Sequence, residues 1–387
     1  DYYFFTRNCS YQLLTLLEVA DPSLHLSDQF HGAVIPADTV RAVRAWPGLV
    51  QRTDGRPSLM TIMRRRRSRL TRADAAIAAA WATAAPGAPV PPLPAGAAPE
   101  RQALVLDAAT DYLRFHVRGA ADPSEKDKLR ERRILLARGR LGVPPQEMIT
   151  SPAVAAPETG HATMRVGVAG GAGNQGGPFQ TLSIRAAIHD DLDPPRAYPA
   201  GARLQMGELR LRFEDRPRRI GLDQVDLIDI VSAGPFDGWV KTPSWKVWFG
   251  VDNARDTGCE QPGSSREGWR CLYAGVTTGG GVALPLGARA ATLLLLAEAD
   301  LGVGPAFAGS HDFRLGPGGE ARLTGGGNRW RFELGARGIY YALGARGPVL
   351  RTRARQSLML THSFALRAGV ETDGTYAQAT GDLLAYF

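Results

Sequence analysis

The sequence predicts an α+β chain, in which a helical N-terminal part precedes an antiparallel transmembrane β-barrel of about 12 strands. Three observations predict it. Up to Leu141 apolar residues recur at helical spacing; from His161 onward strict alternation takes over and persists to the end. The alternation sets an apolar face against a strongly charged one in run after run, which suits lipid outside and a polar lumen inside better than a soluble sandwich with arginine-rich exposed faces. The last run, GDLLAYF, places Leu383, Ala385 and the terminal Phe387 on one face. The division falls into residues 1–155, helical, and residues 156–387, barrel.

Residues 2–5 are aromatic throughout and read as a strand buried on both faces. Asn8, Cys9 and Ser10 break that run, and Leu13, Leu14, Leu16, Leu17 and Ala20 then follow at helical spacing. Cys9 thus falls where a strand hands over to a helix, with Asn8 as N-cap. Unpaired N–H groups and the positive end of the helix dipole favour a thiolate there, and Arg7 adds a nearby cation. A single Cys among aromatic residues also fits a small buried hydrophobe, and no local motif supplies the base that a nucleophile needs.

Asp21 and Pro22 end this helix. A short helix is expected over residues 36–45, with Pro36 in its first turn. Another opens after Pro57 and runs into Arg64, Arg65, Arg66 and Arg67. This arginine run reads as a contact for anionic lipid or phosphate, or as a solvated helix face. Residues 71–83 are Ala-rich and helical. Residues 84–99 (AAPGAPVPPLPAGAAP) form a Pro/Ala linker with polyproline character, expected as a surface excursion without packing. Helices over residues 100–118 and 125–141 follow, the second stopped by Pro144 and Pro145.

In the barrel part Leu182 and Ile184 alternate with Ser183 and Arg185, and Leu209, Leu211 and Phe213 with Arg210, Arg212 and Glu214. Trp245, Val247, Phe249 and Val251 face away from Lys246, Trp248, Gly250 and Asp252. About 225 residues, at roughly 18 to 20 per strand and turn, make about 12 strands. Trp239, Trp245, Trp248, Tyr340, Tyr341 and Tyr386 are candidates for interfacial girdles. Gly279–281 and Gly325–327 read as hairpin turns. A terminal aromatic on an alternating last strand resembles the sorting signal of bacterial outer-membrane barrels.

At 387 residues the chain has room for two domains, and its 44% hydrophobic content excludes wholesale disorder. No apolar run approaches the roughly 18 residues of a helical membrane span. The net charge of +8 fits anionic lipid as well as nucleic acid; with the barrel pattern it points to outer-membrane lipids, and nucleic acid is not expected as a partner. Of three cysteines, Cys259 and Cys271 flank a polar, Gly-rich segment and are expected to form a disulfide, which implies an oxidising compartment. The chain starts inside what reads as a strand, without initiator Met or signal peptide, so part of the first domain is expected upstream.

The stretch YFFTRNCSYQLLTLL, followed by VIPADTVRAV and RPSLM, resembles the N-terminal periplasmic domain of the Lnb family, whose namesake is a lipoprotein N-acyltransferase. GHATMRV, AAIHDDLD, ARLQMGELRLRF and PSWKVWFG resemble the companion region of proteobacterial members, in which a barrel-like part follows the helices. The resemblance implies that the helical part is the remainder of a papain-like periplasmic domain, with Cys9 as nucleophile and a His from an upstream segment as base. It implies acyl transfer: a thiolate attacks a lipid ester, an acyl-thioester forms, and the α-amine of a lipoprotein's first cysteine accepts the acyl group. Asn8 would orient a partner or donate to an oxyanion, beside its capping role.

The expectation is therefore an outer-membrane protein with its N-terminal part in the periplasm, acting as a thiol-dependent acyltransferase or hydrolase on lipid or lipoprotein acyl groups. The alternatives are a papain-like cell-wall peptidase or amidase, and a non-enzymatic barrel serving as pore or assembly factor. No cofactor is expected. Of the seven histidines, His25 and His31 read as loop residues, and His161 and His189 as residues that begin or end barrel strands. His189 with Asp190 and Asp191 hints at a metal site, but nothing at ligand spacing joins them.

Overall fold

The structure is a computed structural model that describes residues 3, 6–30, 32, 34–118, 122–144, 155–198, 201–215, 218–259, 268–287, 291–307 and 311–387. Its helices are α1 (Cys9–Ala20), α2 (Pro36–Ala45), α3 (Leu59–Arg67), α4 (Arg72–Thr83), α5 (Pro99–Val117) and α6 (Glu125–Gly139). Among the described residues no helix is long and apolar enough to cross a membrane.

Twelve strands follow: β1 (Arg165–Gly173), β2 (Gly177–His189), β3 (Ala202–Asp215), β4 (Arg218–Ser232), β5 (Ser244–Asn253), β6 (Leu272–Leu286), β7 (Ala291–Val303), β8 (Phe313–Gly326), β9 (Trp330–Tyr341), β10 (Gly347–Met359), β11 (Phe364–Asp373) and β12 (Tyr376–Tyr386). Each pairs antiparallel with its neighbours in sequence, and β1 closes onto β12 from Arg165↔Tyr386 to Gly173↔Gln378. A two-residue spur, Leu343–Gly344, adds to β8 outside the ring. The result is a closed barrel of 12 strands, the shortest of 9 residues, so each reaches the roughly 9 to 11 residues that a tilted strand needs to span lipid. Closure satisfies every strand edge, as a chain without water around it demands.

The faces are inverted relative to a soluble protein. Val168, Ile184, Phe249, Leu334 and Val370 are exposed on the outside, whereas Arg185, Arg322 and Glu333 inside are 1%, 1% and 0% exposed. The girdle expectation fits Trp245 and Tyr340, which are exposed, and is corrected for the other four. Trp248, Tyr341 and Tyr386 turn inward and donate to Asp226, Asp300 and Asp193 at 2.7, 2.7 and 2.6 Å. Trp239 is buried in the β4–β5 connection. Gly279–281 are not a turn but the middle of β6; a Cβ on Gly281 would stand 1.9 Å from the Leu295 carbonyl oxygen, so the close approach of β7 requires glycine. Gly326, at φ +110°, does lie at the β8–β9 reversal.

The chain divides into two compact units: the first is Asp1–Gln51 with Ala155–Phe387, the second Arg52–Val154. Residues 1–51 therefore group with the barrel, whereas the sequence reading kept them with the other helices. Within the first unit, α1 and α2 share a small core of Leu14, Leu24 and Leu26 with Val43 and Trp46. Tyr3 is 52% exposed and bridges to Arg7, so at this position the buried-strand expectation fails; residues 2, 4 and 5 lie outside the described residues. In the second unit α5 is central, burying Leu104, Leu106, Leu113 and Phe115. Residues 84–99 are a packed connection inside this unit and not a free excursion. Trp81 Nε1 donates to Pro91 O at 3.0 Å, and Arg133 donates to the carbonyls of Trp81, Ala85 and Ala88.

Candidate functional site

Cys9 occupies the first helical position of α1 and is exposed, so the buried-hydrophobe alternative does not hold. Asn8 caps the helix: its Oδ1 accepts from the Ser10 and Tyr11 N–H groups at 3.2 Å each and from Ser10 Oγ at 2.7 Å. Its Nδ2 donates to Val34 O at 2.7 Å, tying α1 to the approach of α2. The buried amide is committed to the fold at both ends.

In the arginine run, Arg66 is turned inward. It donates to Asp107 O at 2.9 Å and pairs with Asp111 at 2.7 Å, both on α5. Burial pushes Asp111 up to about 6, against the pull of Arg66. Arg64, Arg65 and Arg67 are half-buried and have partners of their own. Cys259 and Cys271 are joined in a disulfide that closes the start of the β5–β6 connection onto its end.

The densest chemistry is inside the barrel, at the mouth where β1 begins and β12 ends. The β2–β3 connection turns into the lumen and carries two buried carboxylates, Asp190 and Asp193, and the half-buried Asp191 against inward-facing arginines. Asp190 accepts from Arg165 at 2.6 Å and from Arg367 at 2.9 Å. Asp191 accepts from Arg203 and, at 2.9 Å, from Arg322, while its carbonyl accepts from Arg331 at 2.7 Å. Asp193 accepts from Arg185 at 2.8 Å and from Tyr386 at 2.6 Å. Leu192, 1% exposed, completes a plug. Further along, Lys246 donates to Glu298 at 3.0 Å and Glu320 at 2.7 Å, and Arg337 pairs with Glu298 and Asp300. A cavity of about 240 Å³ remains, bordered by such charged groups as Arg203, Glu208, Lys246 and Arg353. Arg203, Glu208, Lys246, Glu298 and Glu320 are buried in ion pairs across the lumen, while the partly exposed Arg337 and Arg353 border the cavity that remains.

The same mouth carries α2. Arg41 donates to Glu158 O at 3.0 Å and His161 O at 2.8 Å, Arg44 pairs with Glu158, and Thr163 donates to Asp38. Next to this contact, His161 Nε2 lies 3.0 Å from His189 Nδ1, and Tyr198 stacks on both rings. Burial holds the His161 imidazole below its ordinary value, against the pull of Asp193. The sequence reading tested His189 against Asp190 and Asp191, which the structure gives to arginines instead. It missed His161 and Asp193, because antiparallel pairing of β1 with β2 joins residues 28 apart that no motif spacing links.

Fold and site together define a plugged transmembrane β-barrel of the outer-membrane type. The chain belongs to the DUF7840 family, described as a domain of unknown function, whose model matches residues 154–383. A second domain of unknown function, DUF7842, matches residues 54–148, and the Lnb N-terminal periplasmic domain matches residues 1–45. Among solved structures, the barrel is similar to the KdgM porin at 7% identity, covering 58% of this chain and 99% of that one with a TM-score of 0.34. It is also similar to an outer membrane channel from Pseudomonas putida F1 at 11% identity, covering 63% and 100% with a TM-score of 0.35. The outer membrane protein Omp33 of Acinetobacter baumannii matches at 10% identity, 59% and 99% coverage and a TM-score of 0.29. No curated protein matches in sequence. The apolar-outside barrel and the periplasmic-domain match place the protein in an outer membrane, with residues 1–45 on the periplasmic side.

Proposed function

We propose that this chain is a sealed, non-enzymatic outer-membrane barrel whose work is to hold its α1–α2 segment at the periplasmic mouth. The observation that carries this reading is the lumen. A porin keeps a wet channel, whereas here the β2–β3 plug and the ion pairs above it bury their charges. The bonds from α2 to the strap before β1 give the barrel something to hold. Purified protein in a planar lipid bilayer tests it: the expected result is no stepwise conductance, and steady open-channel steps from the wild-type protein would overturn it.

A second reading keeps the thiol chemistry implied by the Lnb resemblance, with Cys9 as nucleophile and lipoproteins as acyl acceptors. It is favoured by the exposure of Cys9 at a helix N-terminus within a segment that matches the Lnb periplasmic domain. The protein with all of its natural upstream sequence, incubated with a phospholipid carrying a labelled acyl chain, would give a thioester on Cys9 detectable by mass spectrometry. Loss of label in Cys9→Ser is expected on this reading; an unlabelled wild-type protein that folds and inserts removes it.

A further inference from the structure

We propose that His161, His189 and Asp193 bind a transition-metal dication, with Zn²⁺ the best fit, at the mouth where β1 begins. The three come from separate places in the chain: the strap entering β1, the last residue of β2 and the plug that follows it. Their ligand atoms all lie within 4.8 Å of one another. His161 Nε2 is 3.0 Å from His189 Nδ1 and 3.8 Å from Asp193 Oδ2. Zinc bonds of about 2.0 to 2.2 Å in a tetrahedron put neighbouring ligand atoms roughly 3.3 to 3.5 Å apart, and the two distances straddle that value.

The surroundings are those of a ligand set. His161 Nδ1 lies 2.7 Å from Ala162 O, a pure acceptor, so Nδ1 carries the proton and Nε2 presents its lone pair. The other oxygen of Asp193, Oδ1, is oriented by the Tyr386 hydroxyl at 2.6 Å and also accepts from Arg367 at 3.2 Å and Arg165 at 3.4 Å. Tyr198 covers both imidazoles, and the three side chains are 2%, 6% and 0% exposed as residues. An ion entering here replaces the hydrogen bond between the two rings; His189 moves its proton from Nδ1 to Nε2, and both imidazoles stay neutral. Arg185 and the Asp190 N–H already share Asp193 Oδ2, at 2.8 and 2.9 Å, so the carboxylate bridges a guanidinium and the metal. Asp190, Asp193 and Glu208 stand against Arg165, Arg185 and Arg367, and Glu208 also takes Arg210, so carboxylates offset most of the positive charge before the ion arrives. Two imidazole nitrogens and one carboxylate favour zinc over Mg²⁺ or Ca²⁺, which take oxygen ligands and more of them. Bound metal would staple the strap that α2 grips to the plug.

The test uses the whole folded chain in detergent, stripped with chelator, loaded with Zn²⁺ or Co²⁺ and freed of excess ion. About one ion per chain is expected by elemental mass spectrometry. Co²⁺ should give the intense visible d–d bands of a tetrahedral site. His161→Ala and His189→Ala should each lose at least tenfold in affinity, while His25→Ala, in a loop outside the site, retains full loading. A wild-type protein that binds no Zn²⁺ and shows only weak octahedral Co²⁺ absorption overturns the proposal, even if the variants fail to fold. Loading that is equal in the wild type and in folded His189→Ala overturns it as well.

Discussion

Asn8 shows how one side chain can serve the fold on two sides. Its carbonyl oxygen satisfies the first turn of α1 while its amide nitrogen satisfies Val34, so Asn8→Ala should cost about 1 kcal/mol for the cap, plus the lost tether. Faster hydrogen exchange confined to α1 and the approach to α2, with the barrel unchanged, is the expected measurement. Asp111 carries a pH prediction in the separate helical unit. Its folded value near 6 lies above the ordinary 3.8, so the folded unit holds this proton more tightly than the unfolded chain does. The stability from this group is fully present below the ordinary value and is lost as pH rises toward the folded value. Asp111→Asn should flatten that decline in helical melts between about pH 4 and pH 6. The carboxylate was not legible from the sequence: DYLRFH at 111–116 reads as an ordinary helix segment, and only its burial between helices, beside Arg66, makes it special.

The β2–β3 connection is the element on which the barrel interior turns. AAIHDDLD reads in sequence as a strand running into a polar loop, and the loop's descent into the lumen follows from the arginines on β1, β2, β3, β8 and β11 that would otherwise be buried unpaired. Removing one partner should therefore be expensive. Asp191→Ala leaves Arg203 and Arg322 short of an acceptor and should destabilise the barrel by about 3 to 5 kcal/mol. Loss of the compact, heat-resistant band in gel electrophoresis at lower temperature than for wild type checks it, with Asp54→Ala, an exposed carboxylate in the other unit, as the unchanged control. The connection over residues 84–99 shows the same lesson at smaller cost. Composition alone suggested a free polyproline excursion, but its carbonyls find donors on Trp81, Gln102, Arg130 and Arg133, which sit on the helices either side of it and on the next one.

At the scale of the whole molecule, opening the lumen is the informative perturbation. Asp190→Ala combined with Asp193→Ala should strip the plug of its hold and leave Arg165, Arg185 and Arg367 facing the mouth. Where this variant inserts, bilayer recordings should show conductance that the wild type lacks, with reversal potentials favouring anions. Silent recordings from the inserted variant would mean that the ion pairs above the plug close the barrel without it.

Alternation of period 2 by itself determined the barrel and which face meets lipid, because a pleated strand sends neighbouring side chains to opposite sides whatever lies next to it; the length of the alternating part set the strand number. Helical spacing after Asn8, with Asn8 as cap, determined α1 in the same local way. Tertiary structure decided what the charged face does. Which Asp meets which Arg, whether the lumen is wet or filled, and that His161 meets His189 all depend on strand register and on loops folding inward. Those contacts join residues that are far apart in sequence, and short-range periodicity carries no record of them.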